Sequence, residues 1–470
     1  MRKRFSQFGL IALGVCLGIL ISLNLTAVAQ RQGGGTPLPL DELRAFSEVY
    51  GRIKSDYVEP VEDKKLITEA ITGMLTGLDP HSAYLDQDAY KELQVGTQGE
   101  FGGLGIEVGM EDGFVKVVSP IDDSPAARAG LKPGDLIVKL DETAVKGMTL
   151  NDAVKRMRGK PGTPITLTIM RKGDPKPIVV TLTRAIIKIQ SVKSKLLEPG
   201  YGYLRLTQFQ EQSGESMARA IEGLYKQNNG ALKGLVLDLR NDPGGLLNSA
   251  VAVSAAFLPK DALVVYTEGR TEDAKMRLTA SPEYYLRGRS RDDYIAKLPP
   301  EIKKVPLVVL VNSGSASASE IVAGALQDHK RAVIMGQRTF GKGSVQSILP
   351  LGNSTAIKLT TARYFTPAGR SIQAKGIDPD IPLEEASTRR TDLTVRESEL
   401  DKHLGGKEPE KKPDAAKPLT NTLGFTPAPR PKDVDEKLTR PEPGEVVSKH
   451  DYELNQAVDF LKTRGGQKAI

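Results

Sequence analysis

Two short stretches of this sequence carry side chains that suit acyl transfer. Residues 313–320 read Ser-Gly-Ser-Ala-Ser-Ala-Ser-Glu and precede an apolar helical run at residues 321–326. Lys342 follows Ser317 by 25 positions, and a glycine flanks it on each side. A hydroxyl at a helix start can act as a nucleophile, and a lysine among glycines and apolar residues can act as its general base. The two stretches together predict a Ser/Lys dyad.

The turn around Ser317 also has a purely structural interpretation. Ser317 and Glu320 have the Ser-x-x-Glu spacing of a capping box, which needs no catalysis to explain it. If the turn is catalytic, the helix N-terminus would stabilise developing negative charge, and the amide of Ala318 would be an oxyanion donor. A Gly-Gly turn after a predicted buried strand offers a second donor, the amide of Gly244 or of Gly245.

Lys342 must be neutral to accept a proton, which requires its pKa to fall from about 10.4 to roughly 7 to 8. Such a shift corresponds to roughly 4 kcal/mol, which burial of an ammonium group can impose. Phe340 and Val345 would supply apolar surroundings. In an extended chain, alternation places Gln346 on the same face as Lys342, where its amide could orient the amine. A plain surface turn at residues 340–343 is the alternative.

Alternating strand and helix patterns must position these groups. Nearly continuous apolar runs at residues 234–239 and 307–311 are typical of strands covered on both faces. Helical patterns are found at residues 216–225, 246–257 and 317–327. We therefore predict an α/β core over residues 187–385. Upstream, apolar residues at steps of three and four predict an N-terminal helical region over residues 38–95, in which His81 lies in a turn and is expected to hydrogen-bond the backbone.

Residues 96–186 alternate short β-rich runs with Gly/Pro turns. They contain Phe-Gly-Gly-Leu-Gly-Ile at residues 101–106 and Ser-Pro-Ala-Ala-Arg-Ala-Gly-Leu-Lys-Pro-Gly-Asp at residues 124–135, and on these motifs the segment resembles a PDZ domain. The amides of Leu104, Gly105 and Ile106 would then converge on a terminal carboxylate, beside an edge strand that pairs with an extended peptide. A glycine-rich hairpin without a ligand is the alternative, and Arg158 is expected to be a solvated surface residue.

The two ends of the chain differ in composition from its middle. Residues 1–29 combine a basic start, an apolar stretch and an Ala-Val-Ala site, which describes a secretory signal or, if uncleaved, a membrane anchor. The mature chain would lie outside the cytoplasm. Residues 386–443 are rich in Lys, Glu and Pro and are predicted to be a disordered linker. Residues 444–470 contain a short helical patch that either docks back or binds a partner.

The catalytic motifs together closely resemble the C-terminal processing peptidases, also called tail-specific proteases. The matching stretches are residues 202–206, 238–245, 314–320, 336–346, 364–372 and 376–380. The resemblance implies that Ser317, rather than Ser315 or Ser319, is the nucleophile, with Lys342 as general base and Gln346 as its orienting partner. It implies an α/β multidomain fold, with an α/β peptidase core, an inserted small β-rich PDZ domain and N-terminal helices. The largely disordered C-terminal tail is predicted from composition and lies outside the resemblance.

The expected function is a secreted or periplasmic serine endopeptidase that recognises apolar C-terminal tails through its PDZ domain and needs no cofactor or metal. Its partners would be proteins or peptides with free C-termini, while the sequence leaves an adaptor protein and a homo-oligomer open. A net charge of +7 spread through mixed-sign sequence disfavours nucleic acid. Two alternatives are an enzyme that uses His329 as its base and a non-catalytic peptide-binding scaffold or chaperone with the same fold. Helix geometry opposes the first, because His329 would lie about 18 Å from Ser317 along the axis.

Overall fold

The computed structural model describes residues 38–121, 123–286, 292–383, 395–406, 425–430 and 445–464. The predicted signal segment, residues 1–29, lies outside the described residues. The described residues up to Ile71 form one compact unit, and those from Thr72 onward form a second.

Within these ranges, every helix is too short or too polar to cross a lipid bilayer.

The first unit contains the amphipathic helices that the apolar periodicity predicts. They are α1 (Leu40–Asp56) and α2 (Asp63–Thr76), of which the last turn of α2 belongs to the second unit. The side chain of Asp63 links the start of α2 to α1, because it accepts a hydrogen bond from Tyr50 Oη at 2.7 Å and pairs with Lys54 Nζ at 2.7 Å. These contacts fix the loop between the two helices.

The predicted PDZ region forms a small β-rich body in the second unit. The elements that lead into and build it are β1 (Ala83–Leu85), α3 (Gln87–Gln98), β2 (Glu100–Gly103), β3 (Ile106–Glu111), β4 (Phe114–Pro120), α4 (Pro125–Arg128), β5 (Leu136–Leu140), β6 (Thr143–Ala144), α5 (Leu150–Met157), β7 (Pro164–Met170), β8 (Ile178–Thr183) and β9 (Ala185–Lys188). The main sheet has the order β3-β4-β5-β7-β8, so β3 is an edge strand. Strands β2 and β9 pair separately as an antiparallel two-stranded sheet.

The remaining elements form the α/β core. They are β10 (Val192–Glu198), β11 (Tyr201–Leu206), α6 (Ser213–Gln227), β12 (Gly234–Asp238), α7 (Leu247–Phe257), β13 (Leu263–Gly269), β14 (Arg277–Thr279), α8 (Pro282–Tyr285), β15 (Leu307–Val311), α9 (Ala318–Asp328), β16 (Val333–Gly336), β17 (Ser344–Pro350), β18 (Ala356–Phe365), β19 (Ile381–Pro382) and α10 (Tyr452–Arg464). Short 3-10 turns lie at Glu272–Ala274, Pro300–Lys303, Gly352–Ser354 and Glu397–Glu399. The predicted helices and buried strands of the core are therefore present.

Two sheets of the core bring the predicted catalytic stretches together. The first has the order β10-β11-β12-β15-β16-β19 and is parallel except for β10. Every residue of β12 and of β15 is buried, as their continuous apolar runs predict. The second sheet has the order β1-β18-β13-β14, with β17 also paired to β18. Ser317 follows β15 and Lys342 precedes β17, so the site lies at the carboxyl ends of the parallel strands, beside the second sheet.

The C-terminal helix docks back onto the core rather than standing free. Leu454, Ala457, Phe460 and Leu461 of α10 are buried against the first sheet. The sheet side chains in this cluster include Val236, Val308, Leu310 and Met335. The apolar stripe of the helix thus covers the face of the sheet opposite to the cluster that contains α7 and α9.

Parts of the tail differ from the disordered linker that its composition predicts. Within residues 386–443 the structure describes residues 395–406 and 425–430, and both are packed: Glu397 is fully buried and the Phe425 ring contacts the Phe460 ring edge-on at 5.2 Å. The average composition of the tail hides these short anchors, because a few specific contacts offset the entropy of ordering a short segment. The other residues of the predicted linker lie outside the described residues.

We expect Leu461→Ala to lower the free energy of unfolding by about 2–4 kcal/mol, because it leaves a cavity between α10 and the sheet. Urea unfolding followed by circular dichroism measures this change. Asp459→Ala, on the exposed side of the same helix, is the control and should change the free energy by less than about 0.5 kcal/mol. Equal effects of the two substitutions would contradict the docked position of α10.

Candidate active site

Ser317 occupies a strained backbone position at the start of α9. Its φ is +56° and its ψ is −113°, a combination that a residue with a side chain rarely adopts. Such strain costs of order 1–3 kcal/mol and is commonly found at functional turns. A sharp strand-to-helix turn of this kind projects a serine hydroxyl outward from the end of a sheet. The geometry favours Ser317 as an exposed nucleophile over a simple cap.

The neighbouring serines have structural contacts instead. Ser315 and Ser319 are both fully buried. The hydroxyl of Ser315 donates to Leu239 O at 2.7 Å, and the hydroxyl of Ser319 donates to Asp242 O at 2.9 Å. These two bonds attach the serine turn to the loop after β12. Ser317 is partly exposed, so it is the member of this trio that a substrate could reach.

The side chain of Glu320 holds the main chains of Ser317 and Lys342 together. Its Oε2 accepts the N–H of Ser317 at 2.8 Å and the N–H of Lys342 at 2.9 Å. Its Oε1 accepts the N–H of Gly341 at 2.7 Å and the hydroxyl of Thr339 at 2.5 Å. We call this arrangement the Glu320 clamp. The capping box predicts only the bond to Ser317, whereas the other three partners come from a distant loop.

Burial raises the pKa of Glu320 to about 7, although the four donors of the clamp oppose the rise. Amide N–H groups can only donate, so the clamp is complete when the carboxyl group is ionised. A fully buried carboxylate with four donors is satisfied, whereas an unpaired one would be costly.

The environment of Lys342 favours the neutral amine. Burial and, to a smaller extent, the nearby Lys358 ammonium lower its pKa to about 8, while three carboxylates oppose the change. These carboxylates belong to Glu397, Glu320 and Asp79. A lysine with a pKa near 8 can act as a general base close to neutral pH. The predicted Ser/Lys dyad requires a fall in the pKa of Lys342 of this direction and size.

Tyr364 lies between the two predicted catalytic residues, and the sequence reasoning did not identify it as a site residue. Its buried hydroxyl donates to the carbonyl oxygen of Lys342 and lies close enough to the side chain of Ser317 for the two groups to interact. Burial holds the pKa of Tyr364 far above its ordinary value, so it remains a phenol. Among the described residues the side chains of Ser317 and Lys342 form no hydrogen bond with each other. Proton transfer in the predicted dyad would require the Ser317 hydroxyl to turn towards the Lys342 amine.

The Gly-Gly turn lies directly against Ser317, as the prediction of an oxyanion donor requires. A Cβ atom added to Gly244 would lie 2.8 Å from the Cβ of Ser317 and 2.8 Å from the nitrogen of Ala318. At Gly245 the φ is +146°, and an added Cβ would lie 2.1 Å from Phe209 O. Only glycine fits either position, because the turn approaches other main-chain atoms so closely.

The amides of the two predicted glycine donors differ in whether they already have a hydrogen-bond acceptor. The N–H of Gly244 already donates to Asp242 Oδ1 at 2.8 Å, so in this arrangement it is not available to an oxyanion. Within the described part of the chain, the amides of Gly245 and Ala318 have no acceptor. These two amides are therefore the predicted donors that remain available for an oxyanion.

Gln346 is near the site but does not contact the predicted base in this structure. Its Nε2 donates to Ser344 Oγ at 3.0 Å and to Thr360 Oγ1 at 3.2 Å. The register of β17 shifts between Val345 and Gln346, which interrupts simple alternation along the strand. The predicted hydrogen bond from Gln346 to the Lys342 amine is therefore not formed among the described residues.

A buried ion cluster supports the loop that leads to the Gly-Gly turn. Asp238, fully buried at the end of β12, accepts Tyr203 Oη at 2.8 Å and pairs with Arg240 Nη2 at 2.7 Å. Arg240 also pairs with Asp451 at 2.7 Å and with Glu453 at 2.5 Å, at the start of α10. The sequence predicts a role for the glycines of this stretch and a family resemblance over residues 238–245, but not the ion pairs of Arg240. The acidic partners of Arg240 at the start of α10 lie more than 200 positions away in sequence, so no local pattern predicts them.

In the predicted peptide-binding loop, two carbonyl groups form hydrogen bonds within the PDZ region, and two amides remain available for a ligand. The carbonyl of Leu104 accepts the N–H of Ala126 at 3.0 Å, and the carbonyl of Gly105 accepts the N–H of Ile121 at 2.9 Å. No described residue accepts a hydrogen bond from the amide of Leu104 or of Gly105. Ile106 begins the edge strand β3.

Arg158, expected to be a solvated surface residue, instead lies over an aromatic ring. Its guanidinium carbon is 4.9 Å from the centre of the Phe101 ring.

The possible histidine base lies at the wrong end of α9. His329 caps the C-terminus of the helix whose N-terminus carries Ser317, and its Nε2 lies 2.7 Å from Leu263 O. A helix of 11 residues is about 16 Å long, which places this imidazole well beyond hydrogen-bond reach of Ser317. The alternative enzyme hypothesis is therefore not supported.

Comparison with known proteins gives matches over most of the chain. Peptidase family S41 matches residues 200–383, the PDZ domain family matches residues 102–182, and the family described as the activating protease CtpB N-terminal domain matches residues 23–89. The carboxy-terminal-processing protease of Bartonella bacilliformis is 47% identical over 396 residues, covering 83% of this chain and 87% of that protein.

Two further relatives extend the comparison. The carboxy-terminal processing protease CtpB of Bacillus subtilis is 34% identical over 379 residues, covering 78% of this chain and 75% of that protein. Among solved structures, a photosystem II D1 C-terminal processing protease is 34% identical, covers 72% of this chain and 86% of that chain, and has a TM-score of 0.40.

Proposed function

This chain belongs to peptidase family S41 as a PDZ-containing carboxy-terminal processing protease, and we propose that it cleaves its substrates through an acyl-enzyme on Ser317 with Lys342 as general base. The observation that carries the proposal is the Glu320 clamp. One carboxylate oxygen accepts the amides of both residues, so the nucleophile and the base are held at one point in the fold.

The proposed reaction begins with neutral Lys342. Its Nζ takes the proton from the Ser317 hydroxyl while Oγ forms a bond to the carbonyl carbon of the scissile peptide. The carbonyl oxygen becomes an oxyanion that accepts hydrogen bonds from the amides of Ala318 and Gly245. Lys342 then returns the proton to the leaving amine as the C–N bond breaks. Water, deprotonated by the same amine, cleaves the resulting ester and restores the hydroxyl of Ser317.

Tyr364 and Gln346 have supporting roles in this proposal. The Tyr364 hydroxyl orients the resting Ser317 side chain and fixes the peptide of Lys342, without acting as a base. Gln346 donates to Thr360 and to Ser344, and movement of its amide from these partners would allow it to orient Lys342. Catalytic hydrogen bonds are often loose in a free enzyme and tighten when substrate binds.

The substrate we propose is a protein with a free, apolar C-terminus. The edge strand β3 can add an extended peptide by main-chain pairing, and the loop of Leu104 and Gly105 presents amides for its terminal carboxylate. The PDZ domain would therefore select the tail, and the dyad would cut upstream of it. The basic and apolar N-terminal sequence supports a location outside the cytoplasm, where unfolded or extended tails would be the substrates. An adaptor protein and self-association have no specific support among the described contacts.

The test is cleavage of an unfolded reporter protein that ends in Ala-Leu-Ala, compared with the same protein carrying a C-terminal amide. We expect amidation to slow cleavage at least tenfold at substrate concentrations below saturation, because a charged hydrogen-bonding partner is lost (about 1.5–3 kcal/mol). Cleavage of both reporters at one rate would contradict carboxylate recognition. Binding without cleavage of either reporter would instead favour the scaffold alternative.

A further inference from the structure

A short stretch of the C-terminal tail packs against the loop that carries Lys342. We call residues 395–406 the tail latch, and they include the 3-10 turn Glu397–Glu399. The side chain of Glu397 has 0% of its surface exposed, although the surrounding sequence is polar. Burying an unpaired carboxylate is costly, so this position requires specific partners.

Glu397 connects two distant parts of the chain to the site. Its Oε1 accepts Gln373 Nε2 at 2.7 Å, and its Oε2 lies 2.8 Å from His81 Nε2, 316 positions away in sequence. The Oε1 atom of the same buried Gln373 accepts the N–H of Gly343 at 2.8 Å. The chain of hydrogen bonds therefore runs from His81 through two buried side chains to the residue directly after Lys342.

The tail latch also holds the main chain on the other side of Lys342. The N–H of Glu397 donates to Phe340 O at 3.2 Å. Arg396 Nη2 donates to Thr339 O at 2.9 Å. The loop of the base is thus fixed before and after Lys342 by contacts that begin at two adjacent latch residues.

The charge of Glu397 also acts on the amine of Lys342. The charged groups that bear on Lys342 are Lys358, Glu397, Glu320 and Asp79. Lys358 disfavours the ammonium form, whereas the three carboxylates favour it. Among these carboxylates Glu397 has the largest effect on the pKa of Lys342. The titratable group that contacts Glu397 itself is His81.

We propose that the tail latch completes the active site and that Glu397 is a positioning residue for Lys342, fixing the loop of the base and placing a negative charge near its amine. This inference rests on the proposed function, because it assigns a role relative to the general base. A chain whose latch is detached would retain Ser317 and the Glu320 clamp but would hold Lys342 loosely. The tail is then a component of catalysis rather than a spacer.

The experiment measures the rate at which a fluorophosphonate probe modifies Ser317 in the full-length protein as pH is varied. Peptide mapping by mass spectrometry identifies the modified serine. We compare the wild-type protein, Glu397→Gln, Asp401→Asn and Lys358→Gln. Asp401 is exposed on the same latch, so Asp401→Asn removes one negative charge without removing a buried contact.

For the wild-type protein we expect the modification rate to rise with pH through about 8, because only the neutral amine accepts a proton. Glu397→Gln should lower the plateau rate roughly ten- to a hundredfold, since a small displacement of a catalytic group has an effect of this size. It should also move the rise to lower pH, because a charge that stabilises the ammonium is lost. Lys358→Gln should move the rise to higher pH, and Asp401→Asn should match the wild-type protein.

Two outcomes would overturn the inference, and a third would overturn its premise. A rise at the wild-type pH in Glu397→Gln would show that the carboxylate does not act on Lys342, whatever its plateau. An unchanged plateau in Glu397→Gln would show that the latch does not position the base. Absence of a Ser317 adduct in the wild-type protein would refute the proposed function itself, and the inference with it. Thermal unfolding of each variant shows whether a lower plateau comes from unfolded protein.

Discussion

Ser317→Ala should abolish cleavage of an unfolded protein with an apolar tail, with a loss in kcat of at least about 10⁴-fold. Alanine removes the atom that bonds to the substrate carbonyl, while the amides of Ala318 and Gly245 remain. Lys342→Met should cause a comparable loss, because it removes the proton acceptor but keeps most of the side-chain volume. Removing either member of a catalytic unit typically costs nearly as much as removing both.

The control for this prediction is Ser313→Ala, in the same serine-rich turn. It should retain activity within a few-fold of the wild-type value. Tail-peptide binding, measured by fluorescence anisotropy, should be unchanged in all three variants because the PDZ region lies outside the substitutions. Full activity in Ser317→Ala or in Lys342→Met would contradict the proposed dyad.

Glu320→Gln should lower kcat by about 10²-fold or more and destabilise the folded protein by roughly 2–4 kcal/mol. Each oxygen of the Glu320 carboxylate accepts two hydrogen bonds. A carboxamide replaces one acceptor with an NH₂ group that faces two donors, so either pair of donors loses its partner. Either the amides of Ser317 and Lys342 would lose their shared acceptor, or the hydroxyl of Thr339 and the amide of Gly341 would.

Steady-state kinetics and urea unfolding measure these two effects separately. Glu283→Gln is the control, because Glu283 is an exposed glutamate in the first turn of a different helix, α8. It should leave both quantities near their wild-type values. If Glu320→Gln kept the wild-type kcat, Glu320 would be only a helix cap and the clamp would have no role in catalysis.

Local patterns were sufficient to predict the core and the start of the helix that follows Ser317. The buried strands β12 and β15 follow from continuous apolar runs, and the start of α9 follows from a Ser-x-x-Glu spacing after one of them. The family resemblance indicated Ser317 among several serines. The structure supplies a physical reason, because its two neighbours are buried and donate to the loop after β12.

Other features depend on contacts between residues far apart in sequence. The choice between Gly244 and Gly245 depends on which amide the side chain of Asp242 accepts, and composition does not reveal this. His81 was expected to hydrogen-bond the backbone, but its ring bonds to the carboxylate of Glu397, while its main-chain N–H donates to the side chain of Asp79. Glu397 lies in a segment whose composition predicts disorder, so its burial became evident only from the fold.

The most direct test of the central claim is mass spectrometry of the wild-type protein after acid quenching during turnover of a slowly hydrolysed ester substrate. We predict that the tryptic peptide of residues 305–330 gains the mass of the acyl group and that fragmentation places it on Ser317. The adduct should be absent in Ser317→Ala. An acyl group on another serine, or substrate turnover in the wild-type protein without any acylated peptide, would contradict the account.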